Sequence, residues 1–303
     1  MSASLFHHAL IGAMPYLPRS LIWRVSRRYI AGTHLHDACR RVRELNESKC
    51  TATIDVLGED STSEEQVRAA VETYLTAIRD IDTHSLDCGV SVKLSELGLR
   101  FDVAGCKEAI HALVTCAADH GSFLRIDMED SSVTTVTLEI YRELRQQFDN
   151  VGIVIQSCLR RSEQDVAELL HEGPTNVRIC KGIYVEPKDI AFTDADEIRS
   201  SFNNLLEQLL DGGATRVGIA THDPALVAYA EDMIEKMGVD KDRYEFQMLL
   251  GVAGTLRRKL VAKGHPLRVY VPFGELWYAY SMRRLRENPN IVGHIVGNLF
   301  SRS

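Results

Sequence analysis

Eight short runs rich in β-branched and apolar residues recur along most of this chain at nearly even intervals. Their first residues are 38, 33, 29, 25, 39, 28 and 24 positions apart. Each interval is long enough for a strand, a crossover helix and two loops, and much too long for a hairpin. The sequence therefore predicts parallel strands over residues 52–57, 90–94, 123–128, 152–157, 177–182, 216–221, 244–249 and 268–271.

The segments between these runs have the residue spacing of helices. Ser63 is a helix-capping residue followed by Glu64 and Glu65, and apolar residues then recur at helical spacing. Segments 133–148 and 195–210 show the same periodicity. Eight strands that alternate with helices, with no glycine-rich dinucleotide motif after the first strand, predict an α/β protein with a (βα)8 barrel rather than a doubly wound sheet.

The length of 303 residues is compatible with one domain or with two. No low-complexity linker interrupts residues 50–290, so a second domain has no place to begin. We therefore predict a helical N-terminal extension over residues 1–48 and a barrel catalytic domain over residues 49–303.

The charge balance and the cysteine pattern narrow the class of protein. The chain has 35 Lys and Arg against 42 Asp and Glu, a net charge of −7, and no long basic run, which argues against a nucleic-acid partner. Seven scattered cysteines without a Cys-x-x-Cys pair are typical of reduced thiols in the cytoplasm. No uncharged apolar stretch reaches the ~20 residues that a membrane span needs, so we expect a cytoplasmic protein.

The first 36 residues contain four arginines and no acidic residue. A transit peptide and a pair of basic amphipathic helices within the fold are both consistent with this pattern, and the helices are favoured. Apolar residues lie among the arginines, which also suits a peripheral contact with the inner face of the cytoplasmic membrane. These apolar residues are Leu17, Leu21, Ile22 and Trp23.

Polar residues lie at the ends of most predicted strands, where the active sites of (βα)8 barrels form. Each has a structural explanation when taken alone. Lys93 suits an exposed strand end or an ion pair with Glu96, and His222 suits the entry to a helix capped by Asp223 with Pro224 in its first turn. Burying charged side chains inside a barrel costs free energy, so the presence of several at the same end predicts an active or binding site there. The polar residues at these strand ends include Lys93, Asp127, Gln156, Arg178, Lys181 and His222.

The predicted last helix carries Tyr280, Arg283, Arg284 and Glu287 on one face. An exposed ion pair between Arg283 and Glu287 explains this pattern, and the pattern alone favours it. The alternative is a clamp in which two guanidinium groups and a tyrosine hydroxyl bind a small carboxylate. Arg283 lies about 12 Å along the helix, so a clamp requires this helix to lie across the carboxyl end of the barrel instead of beside strand eight.

Seven segments of the chain resemble, in the same order, the flavin-dependent proline dehydrogenase family in its short, single-function bacterial form. They are residues 53–59, 91–98, 126–131, 177–184, 219–223, 246–249 and 280–288, and the resemblance extends from about residue 29 to residue 300. Each segment is short, but seven in order at barrel spacing are specific. The chain departs from the family at Cys180, Ile183 and Asp223, where an aliphatic residue, alanine and asparagine are more usual.

The resemblance implies a distorted (βα)8 TIM barrel whose last helix lies over the carboxyl end. Arg283 and Arg284, with Lys93, are then implied to bind the substrate carboxylate. Asp127 and Arg178 are implied as catalytic polar residues, with Arg178 near the reactive flavin nitrogen, and we expect Asp127 to pair with Lys93. The side chains implied to wall the pocket around the pyrrolidine ring are Tyr184, Leu249, Tyr270 and Tyr280. The implied FAD contacts are Met128, Gln156, Arg178, Cys180, Lys181, Gly182, Thr221 and His222.

The function implied by the resemblance is FAD-dependent oxidation of L-proline to 1-pyrroline-5-carboxylate, the first step of proline catabolism. Its electrons are implied to pass to a membrane quinone, and its product to a separate 1-pyrroline-5-carboxylate dehydrogenase. One alternative is hydroxyproline oxidation, which Tyr270 disfavours because the hydroxyproline enzymes of the family have a smaller residue there.

Two alternatives come from other classes of enzyme. A Schiff-base aldolase would use Lys93 or Lys181 as its amine nucleophile. A metal-dependent hydrolase would use a pair such as His34 and His36, but this pair precedes the first strand instead of ending it, so we expect no metal site.

Overall fold

Within residues 19–58 and 60–287, which the computed structural model describes, eight parallel strands pair in chain order and close into a barrel. β1 pairs with both β2 and β8. The predicted barrel is therefore confirmed. The strands are β1 (Thr51–Val56), β2 (Cys88–Val92), β3 (Leu124–Ile126), β4 (Val151–Gln156), β5 (Asn176–Cys180), β6 (Arg216–Ala220), β7 (Tyr244–Leu249) and β8 (Leu267–Phe273).

Helices alternate with these strands and cover the outside of the barrel. Two of the described helices, α1 (Arg19–Ser26) and α2 (Leu35–Glu47), precede β1, and α10 (Trp277–Glu287) follows β8. The connecting helices are α3 (Glu64–Thr83), α4 (Val103–Asp119), α5 (Ser131–Arg145), α6 (Ser162–His171), α7 (Ala195–Asp211), α8 (Pro224–Met237) and α9 (Gly254–Ala262).

Local sequence signals set where several helices begin. Ser63 caps α3 by accepting a hydrogen bond from the backbone N–H of Gln66, as predicted. Asp223 caps α8 by accepting from the N–H of Ala225, with Pro224 in the first turn, also as predicted. These caps fix the points at which the chain turns back from the strand ends.

Six strands, β1 to β6, end one or two residues earlier than the sequence pattern suggests. β2 ends at Val92 and β3 at Ile126, so Lys93 and Asp127 lie just beyond the paired residues. The backbone N–H of Asp127 still donates to the carbonyl of Val92 at 2.9 Å. The apolar pattern of the sequence does not show which residue is the last to pair with the neighbouring strand. Because Lys93 and Asp127 follow the paired residues, both charged side chains lie at the mouth of the barrel.

The last helix lies over the carboxyl end of the barrel, as the resemblance implied. Ala279 and Tyr280 of α10 line the cavity at that end. Trp277 packs on Trp23 of α1, with the ring centroids 4.6 Å apart. Because Ile22 is buried and Trp23 packs on α10, these two apolar residues of α1 pack within the protein.

The N-terminal helices share the core of the barrel. Ala38, Val42 and Leu45 of α2 belong to the same buried apolar cluster as the strands. The domain boundary at residues 48 and 49 stays a prediction. Among the described residues, no helix is both long enough and apolar enough to span a membrane.

The difference in burial between two phenylalanines predicts very different losses in the free energy of unfolding when each is replaced by alanine. Phe202 of α7 is fully buried, so Phe202→Ala is expected to lower the free energy of unfolding by about 3–5 kcal/mol. Phe101, which follows β2, is 48% exposed, so the control Phe101→Ala is expected to cost about 0.5 kcal/mol or less. Urea denaturation followed by circular dichroism measures both, and equal losses would contradict this packing.

Candidate active site

A cavity of about 670 Å³ opens at the carboxyl end of the barrel. Every strand of the barrel, or the residue just after it, contributes to its lining. The volume lies in the range of small-molecule and cofactor sites, and several polar groups converge in it. These groups include Asp55, Lys93, Asp127, Gln156, Arg178, Thr221, Gln247 and Tyr270.

The structure brings the predicted site residues together in this cavity. Arg283 and Arg284 belong to α10, but their side chains lie outside the described part of the structure. Their roles, like those of the other predicted residues, stay predictions. The predicted residues that line the cavity are Lys93, Asp127, Met128, Gln156, Arg178, Cys180, Lys181, Gly182, Tyr184, Thr221, His222, Leu249, Tyr270 and Tyr280.

Asp127 is the centre of a hydrogen-bonded group at the cavity wall. Its Oδ1 accepts from Nη1 of Arg178 at 2.8 Å and from Oγ of Ser91 at 2.7 Å. Its Oδ2 accepts from the hydroxyl of Tyr270 at 2.7 Å. Burial, reinforced by Asp127, raises the pKa of Tyr270 well above its usual value, so this hydroxyl remains a donor. The group fixes the orientation of both Arg178 and Tyr270.

The Nε edge of the Arg178 guanidinium is fixed by a hydrogen bond to a buried residue of β7. Its Nε donates to Oε1 of Gln247 at 2.5 Å, and Nε2 of Gln247 donates to Oε1 of Glu245 at 2.6 Å. Glu245 pairs in turn with Arg268 at 2.6 Å and Arg216 at 3.1 Å. Burial opposes the charge of Glu245, but these arginines outweigh it and lower the pKa to about 2.

Sequence reasoning missed Glu245 and Arg268 as supports of the site. The available signal was alternation along β7, where residues 245, 247 and 249 point to one face. Gln247 lies on the same strand, but its link to Arg178 depends on the pairing of β7 with β6 and of β6 with β5, the strand that carries Arg178.

The expected pairing of Asp127 with Lys93 is wrong. Lys93 Nζ donates to Oδ1 of Asp55 at 2.6 Å and lies 3.8 Å from Oε1 of Glu96. Asp127 is already occupied by the three donors described above. Sequence reasoning assigned no role to Asp55, although an ionisable residue in the buried strand β1 was a signal that it points inward.

The charge on Lys93 is strongly favoured. Burial opposes it, but Asp55, Glu96 and other neighbours outweigh burial and hold the pKa of the ammonium well above its usual range. A Schiff-base nucleophile must be a neutral amine, so the surroundings of Lys93 disfavour the aldolase hypothesis for this residue.

A second charged cluster lies on another part of the cavity wall. Asp223 accepts hydrogen bonds from Lys181 at 2.6 Å and from Arg199 at 2.8 Å. Burial opposes ionisation of Asp223, but the two cations hold its pKa well below the usual range. Arg199 also pairs with Asp196 at 2.7 Å, but Asp196 is exposed and does not line the cavity, so at the cavity wall the two cations face Asp223. Arg199 was missed because it lies in α7, away from any strand end.

Gly182 allows the chain to pass close to the cavity floor. Its φ is +95°, and a Cβ there would lie 2.3 Å from Sγ of Cys158 and 3.0 Å from Oε1 of Gln156. Any larger residue would be both strained and obstructed. Nearby, the backbone N–H of Leu249 donates to Nε2 of His222 at 2.9 Å, which orients that ring.

A sequence model of the proline dehydrogenase family matches residues 38–295 of this chain. The chain is 36% identical to proline dehydrogenase 1 of Bacillus subtilis (strain 168) over 278 residues, which cover 91% of each protein. The chain belongs to the proline dehydrogenase family. The assignment made from the sequence is thus confirmed, and the protein is an oxidoreductase of the proline dehydrogenase class.

Other members of the family agree with this assignment. Proline dehydrogenase of Deinococcus radiodurans is 33% identical over 285 residues, 92% of this chain and 91% of that protein. The structure of proline utilization A from Bdellovibrio bacteriovorus, inactivated by N-propargylglycine, matches with a TM-score of 0.82 and 27% identity. That match covers 87% of this chain and 32% of the larger protein, so this chain spans about a third of its length.

The partner of Lys93 can be tested by double-mutant cycles. Because Lys93 donates directly to Asp55, Lys93→Met and Asp55→Asn are expected to couple by about 1 kcal/mol or more in the free energy of unfolding. Lys93→Met and Asp127→Asn should couple more weakly. Urea denaturation of the single and double variants measures both energies. Stronger coupling to Asp127 would contradict the structure.

Proposed function

We propose that this member of the proline dehydrogenase family oxidises L-proline to 1-pyrroline-5-carboxylate with FAD as its cofactor. The observation that carries the proposal is the convergence of cationic Lys93, the doubly anchored Arg178 and the fixed hydroxyl of Tyr270 on one cavity. Such a set suits a small, anionic substrate held beside a redox cofactor.

The described residues fit FAD. Lys181 and Arg199 place two cations on the cavity wall, and their N–H groups are the donors that a pyrophosphate needs. Thr221 and His222 adjoin Asp223 in the sequence and also line the cavity. Residues proposed to hold the flavin ring are Met128, Gln156, Arg178, Cys180 and Gly182. When bound, FAD supplies the hydride acceptor.

The substrate is proposed to bind through its carboxylate. Lys93, with Arg283 and Arg284 from α10, would supply the compensating charge. Holding the carboxylate fixes the ring carbon next to the nitrogen, which converts a random encounter into an oriented one. The proposed walls of this pocket are Tyr184, Leu249, Tyr270 and Tyr280.

The substrate amine must be neutral when hydride leaves, because a protonated amine has no lone pair. Nearby cations lower the pKa of an amine, so Lys93 and the two arginines favour the reactive form. Asp127 already accepts three hydrogen bonds. Its proposed role is therefore to position Arg178 and Tyr270 rather than to take the proton.

Two further proposals concern partners. We infer that the electrons pass to a membrane quinone and that a separate dehydrogenase consumes the product. Arg19, Arg24, Arg27 and Arg28 are exposed on and just after α1, which supports a peripheral contact with an anionic membrane surface.

The proposed reaction is tested by steady-state turnover of the purified, FAD-supplemented protein with an artificial electron acceptor. We expect oxidation of L-proline, with 4-hydroxy-L-proline a poorer substrate because Asp127 holds Tyr270 in place. Failure to oxidise L-proline would overturn the proposal. Equal turnover of both compounds would favour the hydroxyproline alternative, and borohydride trapping of a carbonyl substrate would favour an aldolase.

Arg178→Met is expected to slow reduction of bound FAD by L-proline by about 100-fold, because the guanidinium stabilises charge that develops as hydride is transferred. Binding of an unreactive proline analogue should weaken much less. Anaerobic stopped-flow absorbance measures the first quantity and calorimetry the second. Arg178→Lys, which retains the charge, should recover part of the rate. A wild-type rate in Arg178→Met would remove this role.

Arg284→Met is expected to raise KM for L-proline at least tenfold, because it removes a charged hydrogen bond to the substrate carboxylate, worth about 1.5–3 kcal/mol. The matched control is Arg286→Met, since residue 286 lies on a different helical face from Tyr280 and Arg284. Steady-state kinetics measures both variants. An unchanged KM in Arg284→Met would contradict the carboxylate clamp.

A further inference from the structure

Glu96 is a buried acid beside the cavity that the proposed reaction does not use. It follows β2 by four positions and is 2% exposed. Its Oε2 accepts from the hydroxyl of Tyr74 at 3.0 Å. Its Oε1 is buried and has no hydrogen-bond partner among the described residues. A buried carboxylate oxygen without a donor is costly, so this arrangement calls for an explanation.

The orphaned oxygen faces Lys93. Oε1 of Glu96 lies 3.8 Å from Nζ of Lys93, just beyond hydrogen-bond distance. Gly58 closes the opposite side, where a Cβ would lie 2.7 Å from the same Oε1. A small shift of the ammonium towards Glu96 would complete a hydrogen bond, and the same shift would withdraw it from the cavity.

Three acceptor groups therefore compete for the three N–H donors of Lys93. One goes to Asp55, which is 1% exposed and lies at 2.6 Å. The side chain of Lys93 is 23% exposed and lines the cavity, so another donor faces the site of the proposed substrate carboxylate. The third group is Glu96, and its protonation state decides how strongly it competes.

The surroundings of Glu96 favour its neutral form. Burial is the largest effect and, with Asp55 and Glu129, it raises the pKa of Glu96 to about 8, although Lys93 and Tyr74 act in the opposite direction. A carboxyl group with a raised pKa is protonated below that value and ionised above it. At neutral pH the lysine is therefore paired mainly with Asp55.

We propose that Glu96 is a positioning residue that, as a neutral acid, leaves the ammonium of Lys93 directed at the substrate carboxylate and, once ionised, draws it away. This inference rests on the proposed function, in which Lys93 binds that carboxylate. Ionised Glu96 also adds a negative charge that repels the incoming anion. Affinity for the substrate carboxylate thus falls as Glu96 ionises.

The test is calorimetric binding of tetrahydrofuran-2-carboxylate to the FAD-loaded protein between pH 6.5 and 9.5. This probe has the carboxylate of proline on a five-membered ring of similar size, with oxygen in place of the amine that titrates. In the wild type, Kd should rise by up to about tenfold per pH unit above pH 8, the limit for a single ionising group. Glu96→Gln should bind as the wild type does at pH 7 and keep that affinity at pH 9.

Two more variants separate positioning from simple structural damage. Tyr74→Phe removes a hydrogen bond that favours ionised Glu96, so the loss of affinity should begin at a higher pH. Glu129→Gln is the matched control, because Glu129 is also a buried carboxyl but bonds to Ser95. It should keep the alkaline loss of affinity, with an onset at a somewhat lower pH because Glu129 contributes to the raised pKa of Glu96.

The outcomes distinguish this inference from the proposed function. Binding with the same pH dependence in the wild type and in Glu96→Gln would overturn the inference and leave the carboxylate site intact. No binding by either protein at any pH would contradict the carboxylate site and the inference together. A flat profile confined to Glu96→Gln would support both.

Discussion

Compensation of charge inside a closed barrel is the constraint on which the rest of the site depends. Barrel closure brings charged side chains from separate strands into one interior, where an ion that loses water without gaining a partner is very costly. Here the solution is a continuous series, in which Asp127, Arg178, Gln247, Glu245 and Arg268 are joined by hydrogen bonds and ion pairs. The series reaches the cavity at Arg178, which is therefore held from both edges before any ligand arrives.

The same constraint accounts for Lys93. Its ammonium faces the cavity while Asp55 compensates it from β1. This arrangement keeps a cation at the cavity without leaving it unpaired. The cluster of Lys181, Arg199 and Asp223 repeats the principle at another part of the wall, and Asp196 compensates Arg199 from the solvent side. An acidic protein can thus present a locally cationic cavity, which net charge does not reveal.

The barrel and most residues of the cavity were predictable from the sequence, but the hydrogen bonds and ion pairs between the cavity side chains were not. Strand spacing and the caps at Ser63 and Asp223 depend on neighbours along the chain, so patterns reveal them. The pairing of Lys93 with Asp55 instead depends on the adjacency and register of β1 and β2, in which residue 55 aligns with residue 91. Glu245 and Arg199 were missed for the same reason, since Arg178 and Asp223, the site residues that they support, are distant from them in sequence.

We propose that hydride passes from L-proline to FAD in this cavity. The most direct test of this transfer is anaerobic mixing of the FAD-loaded protein with L-proline in the absence of any acceptor. We expect full loss of oxidised-flavin absorbance with one equivalent of 1-pyrroline-5-carboxylate formed per flavin, and no loss with D-proline. An absorbance that stays unchanged with L-proline, in protein shown to hold FAD, would contradict hydride transfer in this cavity.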